Sequence, residues 1–257
     1  MITLTLLTKI RDNKQLKQVR KSLKTLLNGL EVEIKILGTV AGGWFQISLS
    51  GEDEEIATNY LIQKIGLCPG SFDTLKKIST LKGYINNIRK NGSGLSVDVG
   101  IFQPEIVQAV VPLSNLQTEL VDGRNVALRT IADLFGFCEG LPVKVEVNGL
   151  DENKLLVDAR LSSEQISKYE VWRESLLDRL LVIYPSLQEI EVAIKHTRLY
   201  RDVIDVEPLG FFAHALTCKL GTDAAGLIPK IGKNLKNARF AVFNPVTLRN
   251  FLKNPKN

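Results

Sequence analysis

Between Leu81 and Ser162 the chain breaks into short runs of strand-favouring residues separated by turn signals, and this rhythm excludes most folds. The runs are LKGYINNIRK, LSVDVG, VQAVVPLS, VKVEVNGLD and LLVDARLS, with NGSG between the first two and a longer intervening segment between the third and fourth. Strands this short cannot bury a face alone, and five of them with one insertion after the third is the layout of an OB barrel. Asn91-Gly-Ser-Gly reads as a hairpin turn, and glycine-rich phosphate loops of Walker or dinucleotide form are missing.

The flanks have a different rhythm. Residues 3–10 alternate as a strand, and Leu16, Val19, Leu23, Leu27 and Leu30 then recur at helical spacing from Asn13 to Leu30, with Asp12 or Asn13 as cap and Asn28-Gly29 as stop. Strands at Glu31–Leu37 and Trp44–Ser50 around Gly42-Gly43, then a helix from Asp53 to Ile65, complete a β-α-β-β-α unit. After the barrel, Ser163–Leu180 reads as a connecting helix. Next come a strand at Leu181–Tyr184, a helix from Ser186 to His196, a hairpin of Val203–Leu209 and Phe211–Leu220, a helix from Thr222 to Leu235 and a strand at Ala238–Phe243. That order, β-α-β-β-α-β, is ferredoxin-like. Pro229 is expected to kink or shorten its helix, and 244–257 to be a frayed basic tail. The expectation is an α+β multi-domain chain: residues 1–70 an N-terminal α+β domain, 71–162 the barrel, and 163–257 the connecting helix plus the ferredoxin-like domain.

The barrel resembles the S1 family. Gly83, Ile88, Gly92, Val97-Asp98-Val99-Gly100, Ser114-Asn115-Leu116, Asp151 and Leu161-Ser162 follow the family pattern in order, over about eighty residues. S1 domains stack bases on aromatic or histidine side chains of the second and third strands, where this chain has Ser96 and Pro112. Phe102 and Tyr84 are the candidate substitutes, with Tyr84 equally readable as a packing residue. Residues 81–162 hold eight basic and ten acidic groups, and with these departures from the S1 pattern that points to a structural or docking role, with phosphate contacts from the flanking domains.

Charge is segregated along the chain. Residues 1–30 carry seven Lys or Arg against Asp12 alone, and residues 219–257 carry eight against Asp223 alone, whereas the middle is net acidic. Local field, not net charge, decides where a phosphate backbone settles. Lys14, Lys17, Lys21 and Lys24 fall on one helical stripe, where like charges repel unless an anion lies across them. With Lys9 and Arg11 they form one candidate nucleic-acid contact. Lys230, Lys233, Lys236 and Arg239 form a second, with helix amides near Thr222, and Arg249, Lys253 and Lys256 form a third in the tail. A solvated lysine face is the plain alternative for each cluster.

Catalytic signals are weak. His196 and His214 have no Cys or carboxylate at motif spacing, Glu52-Asp-Glu-Glu suits a helix first turn, and Cys68, Cys138 and Cys218 lack the spacing of a metal or redox pair. No enzyme activity, cofactor or metal is expected. The lack of an apolar run of about 18 residues argues against a membrane span, and the absence of a leader pattern for a cytoplasmic protein.

Over its whole length the chain resembles an archaeal domain-of-unknown-function family of the DUF2110 type. Thr8-Lys9, the S1-like centre, Asp202-Val203-Ile204-Asp205-Val206-Glu207-Pro208-Leu209-Gly210 and Cys218-Lys219-Leu220-Gly221-Thr222-Asp223 carry that resemblance. It implies an archaeal source and no established activity. The function expected from the residues is a non-catalytic RNA-binding factor acting on structured RNA or the ribosome, in translation or RNA metabolism. The alternative is a protein-interaction module of the transcription or translation machinery. Gly221-Thr-Asp-Ala-Ala-Gly-Leu-Ile also resembles the turn of ACT-type ligand-sensing regulators, although it lies in the second half of its unit.

Overall fold

The computed structural model describes residues 1–75, 79–88, 92–151 and 155–253, so Asn91 of the expected turn and Lys256 of the expected tail lie outside it. The chain forms two compact units. The first joins Met1–Lys77 to Val99–Val107, and the second joins Ile78–Asp98 to Gln108–Asn257.

The first unit opens with β1 (Ile2–Lys9), α1 (Asn13–Leu26), β2 (Val32–Val40), β3 (Trp44–Gly51) and α2 (Glu54–Lys64). The sheet order β1-β3-β2 is antiparallel throughout. Asp12 caps α1, its carboxylate accepting from the Gln15 amide at 2.8 Å. The helix ends at Leu26, one turn before the expected Leu30, because the chain turns through Gly29 at φ +91°. Val19, Leu23 and Leu27 are buried with Leu6, Phe45, Ile47 and Leu61. Each such side chain contributes about 1.5–3 kcal/mol by leaving water. Beyond α2 the chain returns antiparallel along the free edge of β1. The Leu7 amide donates to the Gly66 carbonyl at 2.9 Å, and the Cys68 amide to the Thr5 carbonyl at 2.9 Å. A ferredoxin-like unit has its fourth strand at this place, and here it is reduced to a single bridge.

β4 (Gly70–Ser71) and α3 (Phe72–Leu75) lead into the barrel strands β5 (Thr80–Asn87), β6 (Gly94–Gln103) and β7 (Val107–Pro112), then α4 (Leu113–Leu120), α5 (Leu128–Phe135), β8 (Pro142–Asp151) and β9 (Leu156–Leu161). Pairings β5–β6, β6–β7, β7–β9, β9–β8 and β8–β5 close a five-stranded barrel, with β7 and β9 parallel. The connectivity and the helical insertion after the third strand are those of an OB barrel. Leu95, Val97, Val99, Ala109, Val111, Val143, Val145, Val157 and Ala159 alternate inward as its core. Gly100 of the Val-Asp-Val-Gly run has φ +78°, and a Cβ there would meet the Cys68 sulfur at 2.6 Å, so no larger residue fits.

α6 (Ser163–Glu174) follows, with the Ser162 hydroxyl accepting from the Gln165 amide. It stops well short of Leu180. Leu176 has φ +56°, and the Arg179 guanidinium donates to the carbonyls of Trp172 and Leu177, closing the helix and turning the chain into a strand. That strand is β10 (Arg179–Ile183), followed by α7 (Leu187–His196), β11 (Val203–Gly210), β12 (Ala213–Cys218), α8 (Ala224–Ile231), β13 (Arg239–Phe243) and α9 (Pro245–Lys253). The antiparallel order β11-β12-β10-β13 makes this unit ferredoxin-like. The fold is therefore α+β, a barrel flanked by two sheet-helix units. One face of the C-terminal sheet packs Leu180, Val182, Leu216 and Cys218 against Ile190, Ile194, Leu227 and Ile231 of its helices. The other face meets an aromatic cluster built from Phe135, Phe137, Tyr169, Trp172 and Phe243. Gly136 ends α5 at φ +67°, where a Cβ would meet Leu181 at 2.9 Å, which brings the barrel insertion directly onto the sheet.

The last segment is not a frayed tail. Residues 245–253 form α9, capped by Asn244 through the Thr247 amide at 2.7 Å, with Leu248 buried. Arg124, between α4 and α5, donates to the Phe251 carbonyl at 2.6 Å and to the Leu252 carbonyl, and its guanidinium sits 5.3 Å from the Phe251 ring. Arg124→Ala leaves those end carbonyls without their charged donor. The expected result is a loss of about 1–3 kcal/mol in urea unfolding, with faster amide exchange confined at first to 245–253.

Candidate functional site

The exposed stripe of α1 gathers four of the first unit's lysines on one helix. Lys14, Lys17, Lys21 and Lys24 are all exposed, opposite buried Val19 and Leu23, and the helix itself has no acidic residue in its first turn. Arg20, three residues after Lys17 and four before Lys24, is exposed and borders the stripe, although sequence reasoning missed it. Between α1 and β2 lies a groove of about 560 Å³ lined by Leu16, Lys17, Arg20, Ile34, Lys35 and Ile36, with Asn13 and the acidic Glu33 also in its lining. Lys35 lies one strand away from the helix, so no helical period reveals it. An apolar floor under a basic rim suits a polyanion whose bases or sugars also need cover.

Lys9 and Arg11 stand at the entry to α1. Arg11 is exposed, whereas Lys9 is half-buried with its ammonium 4.8 Å from the centre of the buried Trp44 ring, a cation–π contact. Of the six residues at the amino-terminal end, five are thus on open surface, and Lys9 is partly engaged by the fold.

The carboxy-terminal cluster is less unified. Lys230 sits on α8, and Lys233 and Lys236 on the turn that follows, all exposed. Arg239 is drawn aside: its guanidinium pairs with the Glu139 carboxylate at 2.8 Å and lies 5.8 Å from the Tyr184 ring centre. Nor does α8 begin at Thr222 or offer its amides to an anion. Asp223 is the cap, and its carboxylate accepts from the amides of Ala225 and Gly226. The Ala224 amide beside them donates to the Asp178 carboxylate at 3.2 Å. The helix stops at Ile231, two residues past Pro229.

On the barrel, Tyr84 is a packing residue, 8% exposed, which removes it as a stacking platform. Ser96 is occupied by Gln108 through a hydroxyl–amide hydrogen bond, and Phe102 is half-buried beside Gly70. Asp98 is buried. His196 is exposed at the end of α7, and His214 is buried in β12 with no hydrogen-bond partner for Nδ1. Burial pushes the thiols of Cys138 and Cys218 up to about 11, which leaves them protonated at neutral pH. No helix among the described residues is long and apolar enough to cross a membrane.

Family models match the chain in three adjacent stretches. The DUF2110 N-terminal domain covers residues 3–69, the DUF2110 central domain 75–173 and the DUF2110 C-terminal domain 177–243. No curated protein matches it. The three domains follow one another in order across almost the whole length, and the chain belongs to the DUF2110 family.

Proposed function

We propose that the protein is a non-catalytic RNA-binding factor of the cytoplasm, acting on structured RNA or on the ribosome in translation or RNA metabolism. The exposed face of α1 and its neighbouring groove are its phosphate contact in this reading, with Lys230, Lys233 and Lys236 as a second, smaller one. The observation that carries it is the clustering of Lys14, Lys17, Lys21 and Lys24 on one exposed stripe beside Arg20 and Lys35. Neighbouring like charges at these spacings cost about 0.2–0.5 kcal/mol per pair, a cost that a phosphate backbone reverses. The barrel serves as scaffold.

Binding of this kind is steeply salt dependent, each neutralised phosphate adding about 0.7–0.9 to the slope of log affinity against log salt. Lys17→Glu combined with Lys21→Glu is expected to lower that slope by about 1.4–1.8 for a structured RNA, measured by filter binding across a salt series. Wild-type and doubly reversed proteins with the same slope would exclude α1 as the contact.

A second reading, a protein-interaction module of the transcription or translation machinery, is favoured by β2. This strand lies at the sheet edge, and Leu37 on it is 45% exposed. Open strand edges accept partner strands. Recovery of a defined protein partner after thorough nuclease treatment favours this reading, and loss of all partners on that treatment favours RNA.

A further inference from the structure

In the second unit a recess of about 250 Å³ opens where β5, β8, α6 and β11 meet. Its charged lining is Lys82, Lys144, Lys168 and Glu164, against Tyr169 and Trp172. Lys82 and Lys144 are direct cross-strand partners of the β5–β8 pair, so their side chains leave the same face of the sheet side by side. Lys168 reaches the same recess from α6. Like charges directly opposite one another weaken a sheet, and a third cation makes the placement harder to explain as packing.

Carboxylates answer two of the three. Lys144 pairs with Glu164 at 2.5 Å, and Lys168 pairs with Glu207 at 2.6 Å while lying 5.1 Å from the Trp172 ring centre. Lys82 has no ion pair or hydrogen bond to a side chain among the described residues. Its side chain is half-buried, and burial first, then Lys144 and Lys168, hold its pKa below the ordinary lysine range. Three ammonium groups against two carboxylates leave the recess with one excess positive charge, and the attraction of Glu164 offsets only part of what burial, Lys144 and Lys168 impose on Lys82. A fold under no other demand replaces such a group, because an unpaired, partly desolvated charge costs stability.

We propose that this recess binds a small phosphorylated metabolite, with Lys82 as the direct phosphate contact and Lys144 and Lys168 closing around the same group. Lysine is a point-charge donor suited to phosphate, and three of them approaching from two strands and a helix match its tetrahedral spread of oxygens. The volume takes one phosphate on a compact body and has no room for successive nucleotides, which separates this site from the α1 surface. The aromatic rings are nearly buried and act as wall.

The test is a thermal-shift titration of the full chain at constant ionic strength with inorganic phosphate, with ribose 5-phosphate and with an RNA oligonucleotide lacking terminal phosphates. Ribose 5-phosphate at about a hundredfold excess over its Kd is expected to raise Tm by on the order of 5 °C. Inorganic phosphate should do so more weakly, and the oligonucleotide should give no shift that depends on Lys82. Lys82→Met is expected to raise the ligand-free Tm and abolish the response, while Lys21→Glu leaves the response intact. Lys82→Gln, which stays polar, must lose the response as well. Absence of any shift beyond the salt control overturns the proposal. So does a phosphate response that survives both Lys82 variants, or a Lys82-dependent shift with the RNA oligonucleotide alone.

Discussion

Phe243→Ala is expected to cost about 3–5 kcal/mol and to loosen the barrel insertion along with the C-terminal sheet. Phe243 is completely buried on β13, and its ring lies 5.4 Å from Trp172, 6.1 Å from Phe135 and 6.2 Å from Tyr169, centre to centre. Those partners come from α5 and α6, so one side chain touches the barrel insertion, the connecting helix and the sheet. Its removal leaves a cavity whose walls belong to three elements and cannot all close on it. Guanidinium unfolding followed both by tryptophan fluorescence and by far-ultraviolet circular dichroism checks the point. The two probes should move together to a lower midpoint, and a loss under about 1 kcal/mol would show that the cluster closes over the gap.

His214 is expected to make the protein acid-sensitive by about 3 kcal/mol. The residue is 2% exposed, lies opposite Val182 of β10 and Pro208 of β11, and its Nδ1 finds no partner. Burial lowers its pKa to about 4 from the ordinary histidine value of 6.5, since a charged imidazole there is stripped of water with nothing to replace it. The unfolded chain therefore binds the proton more readily. The stability that the neutral ring allows is fully present above pH 6.5 and falls as pH drops toward 4, because each tenfold difference in proton affinity between the two states is worth about 1.4 kcal/mol. His214→Leu should flatten the stability profile between about pH 7.5 and 4 by that total in urea melts. Parallel profiles for the two proteins would assign the acid sensitivity to the carboxylates.

The barrel was legible because its strands obey a period of two. Residues such as Leu95, Val97 and Val99 point inward and the turns are marked by glycine, so local pattern and final burial coincide. The ferredoxin-like order of the last unit was legible for the same reason. What sequence missed depends on partners remote in the chain. α9 reads as a basic tail because Arg249 and Lys253 are its only charged residues, while the groups that fix it are Asn244 and, more than a hundred residues earlier, Arg124. The expected end of α6 overshoots because Leu176 and Leu180 continue a helical period, and only the turn at Leu176 and the bonds of Arg179 interrupt it. Of the candidate site, the lysine stripe follows from spacing alone. Arg239 reads as equally available, but Glu139 stands a hundred residues away and holds it. The recess around Lys82, Lys144 and Lys168 left no local trace, since strand register and a helix bring its cations together.

The first unit takes its final piece, Val99–Val107, from sequence well beyond its own main segment, which stops at Lys77. The pairing of Gly70 with Ile101 and of Ser71 with Gln103 therefore forms only once the second barrel strand has been made. The sheet of β1, β3 and β2 is already complete by then, so this pairing is the late addition to the unit.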